Sequence, residues 1–159
     1  MVAWIIAGLV VLVFLYFAYR TFGGAASRPV DPLQVLMSAT VTAEAALPWL
    51  NSAHTLSSQQ DQSTVESASI RRRLEGNAQQ LQILEPASLD ESLEAAHAVL
   101  VVTLDELTWA VRMTASRGYA DAPGMQAAVR QLAEHAQECV NEARALLRSA
   151  RSEEIGSPA

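Results

Sequence analysis

The chain has 159 residues, half of them hydrophobic, and a formal net charge of −6. Outside an apolar N-terminal run and its two flanking arginines, nine arginines face seventeen acidic residues, a net of −8. That balance disfavours nucleic acid as a partner, because binding there works by neutralising phosphates. The single cysteine, Cys139, excludes an intramolecular disulfide. Few aromatics, few glycines and no β-branched alternation argue against a sheet, so the expected fold class is all-α.

Residues 2–19 contain no charge, and Arg20 closes them. Eighteen residues in a helix cover roughly 27 Å, the thickness of a bilayer's hydrocarbon. The run is read as a transmembrane anchor over residues 1–22. Trp4 at one end and Tyr16, Tyr19 and Phe22 at the other suit the headgroup level, where Arg20 can also snorkel. The competing reading is a cleaved signal peptide ending at the small residues Gly24, Ala25 and Ala26. An uncleaved anchor fits better, because no basic residue precedes the run and it is longer than a signal core. Arg20 and Arg28 follow the span, which places the bulk of the chain in the cytoplasm by the positive-inside rule.

Residues 23–30 form a short linker, loosened by Gly23, Gly24 and Ser27. A helical bundle is expected over residues 31–152, with a frayed tail at 153–159. Asp31-Pro32 opens its first helix as an N-cap followed by proline. Leu33, Leu36, Met37, Val41, Leu47 and Leu50 make that helix's apolar face, and Pro48 should kink or break it before a remainder reaching Thr55 or Leu56. After a polar connection at 57–62, Ser63 and Glu66 have capping-box spacing. Ile70, Leu74, Ala78, Leu81 and Leu84 then repeat along a second helix that Pro86 ends.

Ser88 and Glu91 form another capping box ahead of the third helix. Its seam is Leu93, His97, Leu100, Leu104, Leu107, Val111 and Thr114, at alternating spacings of three and four. Gly118 suits a left-handed C-terminal cap. Asp121 and Pro123 open the fourth helix, whose apolar positions step through Met125, Val129, Leu132, Ala136, Cys139, Ala143, Leu146 and Ala150. Arg144, Arg148 and Arg151 fall near its dipole-negative end. Four such helices with short connections predict an antiparallel up-down-up-down bundle; a coiled-coil homodimer of the last two helices is the structural alternative.

Chemistry is sparse. Glu94 and His97 have the Glu-x-x-His spacing of di-iron carboxylate bundles, with Glu44 a further carboxylate, but the fourth helix offers Glu134 and His135-x-x-Glu138 in the reverse order. The plainer reading makes His97 a hydrogen-bonded seam residue. Spacing alone sets no basic group or histidine beside Cys139 so as to activate it, and a buried inert thiol is expected. His54 falls in a polar segment. Arg71, Arg72 and Arg73 fan over one side of the second helix, suited either to lipid headgroups or to a solvated face balanced by Glu66 and Glu75. Glu134, Glu138 and Glu142 form an acidic ridge for a basic partner or for solubility, and Trp109, at the edge of the third-helix seam, is a natural protein-contact anchor. No phosphate loop, nucleophile–base order or Cys/His cluster is present, and no cofactor is implied.

The pattern therefore predicts a non-enzymatic, single-pass membrane protein at the cell membrane whose bundle meets protein partners or itself as a scaffold or accessory subunit. An extracytoplasmic sensor-like or ligand-binding bundle needs the opposite topology. A carboxylate-bridged metal enzyme needs a motif that is only half present.

Overall fold

The computed structural model describes residues 31–52 and 60–156, with side chains over 31–52 and 65–153. The anchor and linker, His54 and the stretch up to residue 59 lie outside the described residues. Among the described residues there are four α-helices and no strand: α1 (Pro32–Ser52), α2 (Gln60–Ile83), α3 (Glu91–Thr114) and α4 (Pro123–Gly156). None of these is long and apolar enough to cross a membrane.

Local signals explain most boundaries. The Asp31 carboxylate accepts the Leu33 amide at 3.0 Å, and its carbonyl accepts the Val35 amide, so the Asp-Pro start caps α1. Pro86 opens a 3₁₀ turn, Pro86–Ser88, and Gly118, at φ +86°, leads into a second one, Tyr119–Asp121.

Several sequence expectations are corrected here. α1 continues unbroken through Pro48 to Ser52, and the remainder expected to Thr55 or Leu56 lies outside the described residues. α2 starts at Gln60, so Ser63 lies within it and does not cap it. Asp90, not Ser88, is the N-cap of α3; the Ser88 hydroxyl donates instead to the Glu85 carbonyl at 2.7 Å. Gly118 turns the chain four residues beyond the end of α3. Asp121 sits in the second 3₁₀ turn, and α4 begins at Pro123 and continues to Gly156, beyond the point where fraying was expected.

The helices alternate in direction. Glu106 meets His135 and Ser116 meets Met125, which fixes α3 and α4 antiparallel, while the start of α1 shares one pole with the start of α3 and the end of α4. α1 and α3 each pack against the other three helices, and α3 with α4 is the most extensive pairing. α2 and α4 therefore occupy opposite corners.

The core runs between them. Leu100, Leu104, Leu107 and Val111 of α3 are fully buried, together with Leu36, Leu74, Leu81 and Val140. The α3 seam matches the sequence reading at its centre, where Leu100, Leu104, Leu107 and Val111 point inward. The other stripes are rotated. On α1 the buried positions are Val35, Leu36, Ala39, Thr40, Ala43, Ala46, Leu47, Trp49 and Leu50, leaving Met37 and Val41 outside. On α4 they are Val129, Ala133, Ala136, Val140, Ala143 and Leu147, with Cys139 at the edge. Alanines line both helices where they meet the core, and a methyl group is all that closely packed backbones leave room for. Buried Thr40, Thr103 and Thr108 donate their hydroxyls back to the carbonyls of Leu36, Val99 and Leu104 at 2.7–2.8 Å, so no hydroxyl is stranded.

Candidate functional site

Two clusters concentrate polar chemistry on exposed apolar surface. The first is the α2/α3 face. Trp109 projects from α3 half exposed, at 52 %, and the Arg112 guanidinium lies over its ring at 5.7 Å from the centroid. The same guanidinium donates to Glu75 of α2 at 3.1 Å, and Glu75 also meets Arg71 at 3.7 Å. Val101 and Val102, two turns earlier on α3, are 40 % and 49 % exposed. Beside them a shallow depression of about 670 Å³ opens between the helices, floored by Ala78, Val101 and Leu104 and edged by Glu75, Gln79, Asp105 and Arg112. The indole thus lies against a cation that is itself paired with a carboxylate, an aromatic anchor on an apolar strip.

The second cluster lies along the α3/α4 seam. His135 Nδ1 meets the Glu106 carboxylate at 2.8 Å, and its Nε2 lies 3.7 Å from Cys139 Sγ. A histidine does stand beside Cys139, for His135 precedes it by four residues, one turn of α4, but it does not activate the thiol. Carboxylate, imidazole and thiol stand in the order of a nucleophilic triad. The electrostatics oppose that chemistry. Burial raises the Cys139 thiol above its ordinary 9.0, and Glu106, Glu142 and Glu138 raise it further, against a hydrogen-bonding contact with Thr103 that lowers it. A thiol kept protonated is a poor nucleophile. His135 is raised above 6.5 by its hydrogen bond to Glu106, then by that carboxylate's charge and by Glu138. The cluster is a hydrogen-bonded pair tying α3 to α4, an ion pair when His135 is protonated, with a quiet thiol behind it.

The remaining sequence candidates are dispersed. Glu94 is exposed, and the His97 ring meets the Leu81 carbonyl at 3.0 Å, joining α3 to α2. Glu44 is engaged by Arg144 of α4. Among the described residues no group of three His, Cys, Asp or Glu side chains could hold a metal ion. Arg71, Arg72 and Arg73 are all exposed, with Arg71 tied to Glu75. Glu134, Glu138 and Glu142 are exposed too, but Glu134 lines a depression with Leu50 of α1 and Arg130, while the charges of the other two act on Cys139. Trp4, Tyr16, Tyr19, Arg20 and Phe22 lie outside the described residues. Asn77 escaped sequence reasoning: its side chain accepts from Ser38 and donates to Thr42 and to the Arg73 carbonyl, clamping α2 to α1. No signal in the sequence marked it.

No protein-family model matches the chain, and neither does a curated protein or a solved structure.

Proposed function

We propose that this chain is a single-pass membrane protein whose bundle works as a non-enzymatic scaffold, holding a protein partner at the cytoplasmic surface through its α2/α3 face. The observation that carries the reading is Trp109, half exposed and fixed under Arg112 on a strip that also exposes Val101 and Val102. Large apolar side chains gathered on one face favour burial against another surface, and Trp and Arg are enriched where such contacts concentrate their energy. The uncharged run at residues 2–19, closed by Arg20, supplies the anchor.

A photo-crosslinking amino acid at position 102 of the full chain tests this in native membranes. It should trap a second protein, and Trp109→Ala should abolish the adduct while leaving the helical circular-dichroism signal intact. A crosslinking pattern that ignores Trp109→Ala overturns the face. Quantitative release of the chain by an alkaline carbonate wash overturns the anchor.

A further inference from the structure

On the opposite side of the bundle, α1 and α4 enclose a shallow groove of about 280 Å³. Its floor is Met37, Val41 and Leu147, and Met37 and Val41 are 42 % and 63 % exposed. Arg144, Arg148 and Arg151 stand along its α4 edge. Arg144 engages Glu44, whereas Arg148 and Arg151 make no ion pair among the described residues. Glu44 is the one charged side chain of α1. Within a domain of net charge −8, this groove gathers cations around exposed apolar groups and is lined by a single carboxylate, already paired.

We infer that the α1/α4 face rests on anionic lipid headgroups, with Met37 and Val41 entering the headgroup boundary and Arg148 and Arg151 meeting phosphates. The inference rests on the anchor reading of residues 2–19. Two observations select lipid. Charge complementarity is the first: basic side chains flanking apolar ones on an amphipathic surface are what anionic leaflets attract. The length of chain leading to α1 is the second. Residues 20–30, fully extended, cover at most roughly 40 Å, and Met37 follows Asp31 by under two helical turns, so the groove stays within reach of the bilayer. A second copy fits worse. A copy of this face brings the same cations to the contact, and the one carboxylate lining the groove, Glu44, is already engaged.

The test uses the full chain with Cys139→Ser and a polarity-sensitive fluorophore on Val41→Cys. It is reconstituted into phosphatidylcholine vesicles, with or without roughly a third phosphatidylglycerol. A second chain carries the fluorophore on Gln79→Cys, exposed on α2. Spin-labelled headgroup-region lipid should quench the probe at 41 at least twofold more in the anionic vesicles, and hardly quench the probe at 79. High salt and Arg148→Gln with Arg151→Gln should each remove the difference; that pair of changes leaves the Arg144–Glu44 bond in place. Equal, weak quenching at 41 and 79 in both vesicle types overturns the proposal and leaves the anchor standing. Shielding at 41 in native membranes but not in either vesicle overturns it in favour of a protein occupant. A chain that an alkaline wash strips from both vesicle types overturns the anchor and this proposal with it.

Discussion

His135 and Glu106 show how one side-chain pair can make the fold pH-dependent. The carboxylate holds the imidazolium, so the folded pKa of His135 lies above the 6.5 of the unfolded chain. A histidine raised in this way adds its full stabilisation below about pH 6.5, and the contribution disappears as pH rises through the folded value. Glu106→Gln removes both the hydrogen bond and the charge. NMR titration of the His135 ring should show its midpoint falling back toward 6.5, and the urea midpoints of the two proteins should differ at about pH 5 and converge at about pH 9. An unmoved midpoint would mean that Glu138 and not Glu106 sets the shift. Trp49 makes a second residue-scale case. It is 8 % exposed, and its indole N–H finds no acceptor among the described residues. An orphaned buried donor costs about 1–3 kcal/mol, comparable to what the smaller phenyl ring loses in packing. Trp49→Phe should therefore leave urea stability within about 1 kcal/mol of the parent, whereas Trp49→Ala should cost about 3–5 kcal/mol.

At the scale of the helices, α1 carries the most instructive conflict. Pro48 lies inside it, has no amide to give the Glu44 carbonyl, and still does not end the helix, because Leu47, Trp49 and Leu50 are all buried around it. Tertiary burial thus outweighs the lost bond and the ring's crowding. Pro48 itself is exposed, so Pro48→Ala should raise stability by about 1–3 kcal/mol, seen as a higher thermal midpoint. A lower midpoint would show that Trp49 reaches the core only through a bend at Pro48. The same helix shows why part of the fold was legible and part was not. The centre of the α3 seam could be read because Leu100, Leu104, Leu107 and Val111 recur there at helical spacing, although Ala96, Thr103, Thr108 and Ala110 are buried beside them. On α1 and α4 the inward positions hold alanine, while Met37, Val41 and Cys139 look more apolar and sit at or beyond the edge. Apolarity ranks side chains by their gain on burial, but where helices pack closely the limit is volume. Ser63 and Ser88 failed as caps for a related reason. A capping box describes only a possible helix start: α2 begins about one turn earlier, at Gln60, and Pro86 draws Ser88 into a 3₁₀ turn. Of the site, the Trp109–Arg112 and His135–Cys139 pairs follow from helical spacing alone. Glu106–His135, Glu75–Arg112 and Glu44–Arg144 depend on the register between helices, which one-dimensional periodicity does not contain.

For the bundle as a whole, the arrangement of helices ranks their local stabilities. α1 and α3 touch all the other helices, while α2 packs against α1 and α3 alone to any extent. Over its described side chains α2 buries Ser67, Leu74 and Leu81, against eight fully or nearly fully buried residues on α3. Val65 near its start and Ile83 at its end are 74 % and 76 % exposed. What ties α2 down is a short series of specific contacts: Asn77 to α1, Glu75 to Arg112, and the His97 ring on the Leu81 carbonyl. A helix held by few apolar contacts opens at lower free energy than the global transition. Native-state hydrogen exchange should therefore show the α2 amides exchanging at least tenfold faster than those at the centre of α3, a gap of about 1.4 kcal/mol in opening free energy. Asn77→Ala should widen the gap by speeding α2 further without touching α3, because it removes the clamp and leaves the α1–α3 diagonal intact. Leu104→Ala acts on that diagonal and should lower the global urea midpoint by the equivalent of about 2–5 kcal/mol. Equal protection along α2 and α3 would mean that the bundle opens only as one cooperative unit. The polar clamps would then carry as much of the cooperativity as the leucine seam.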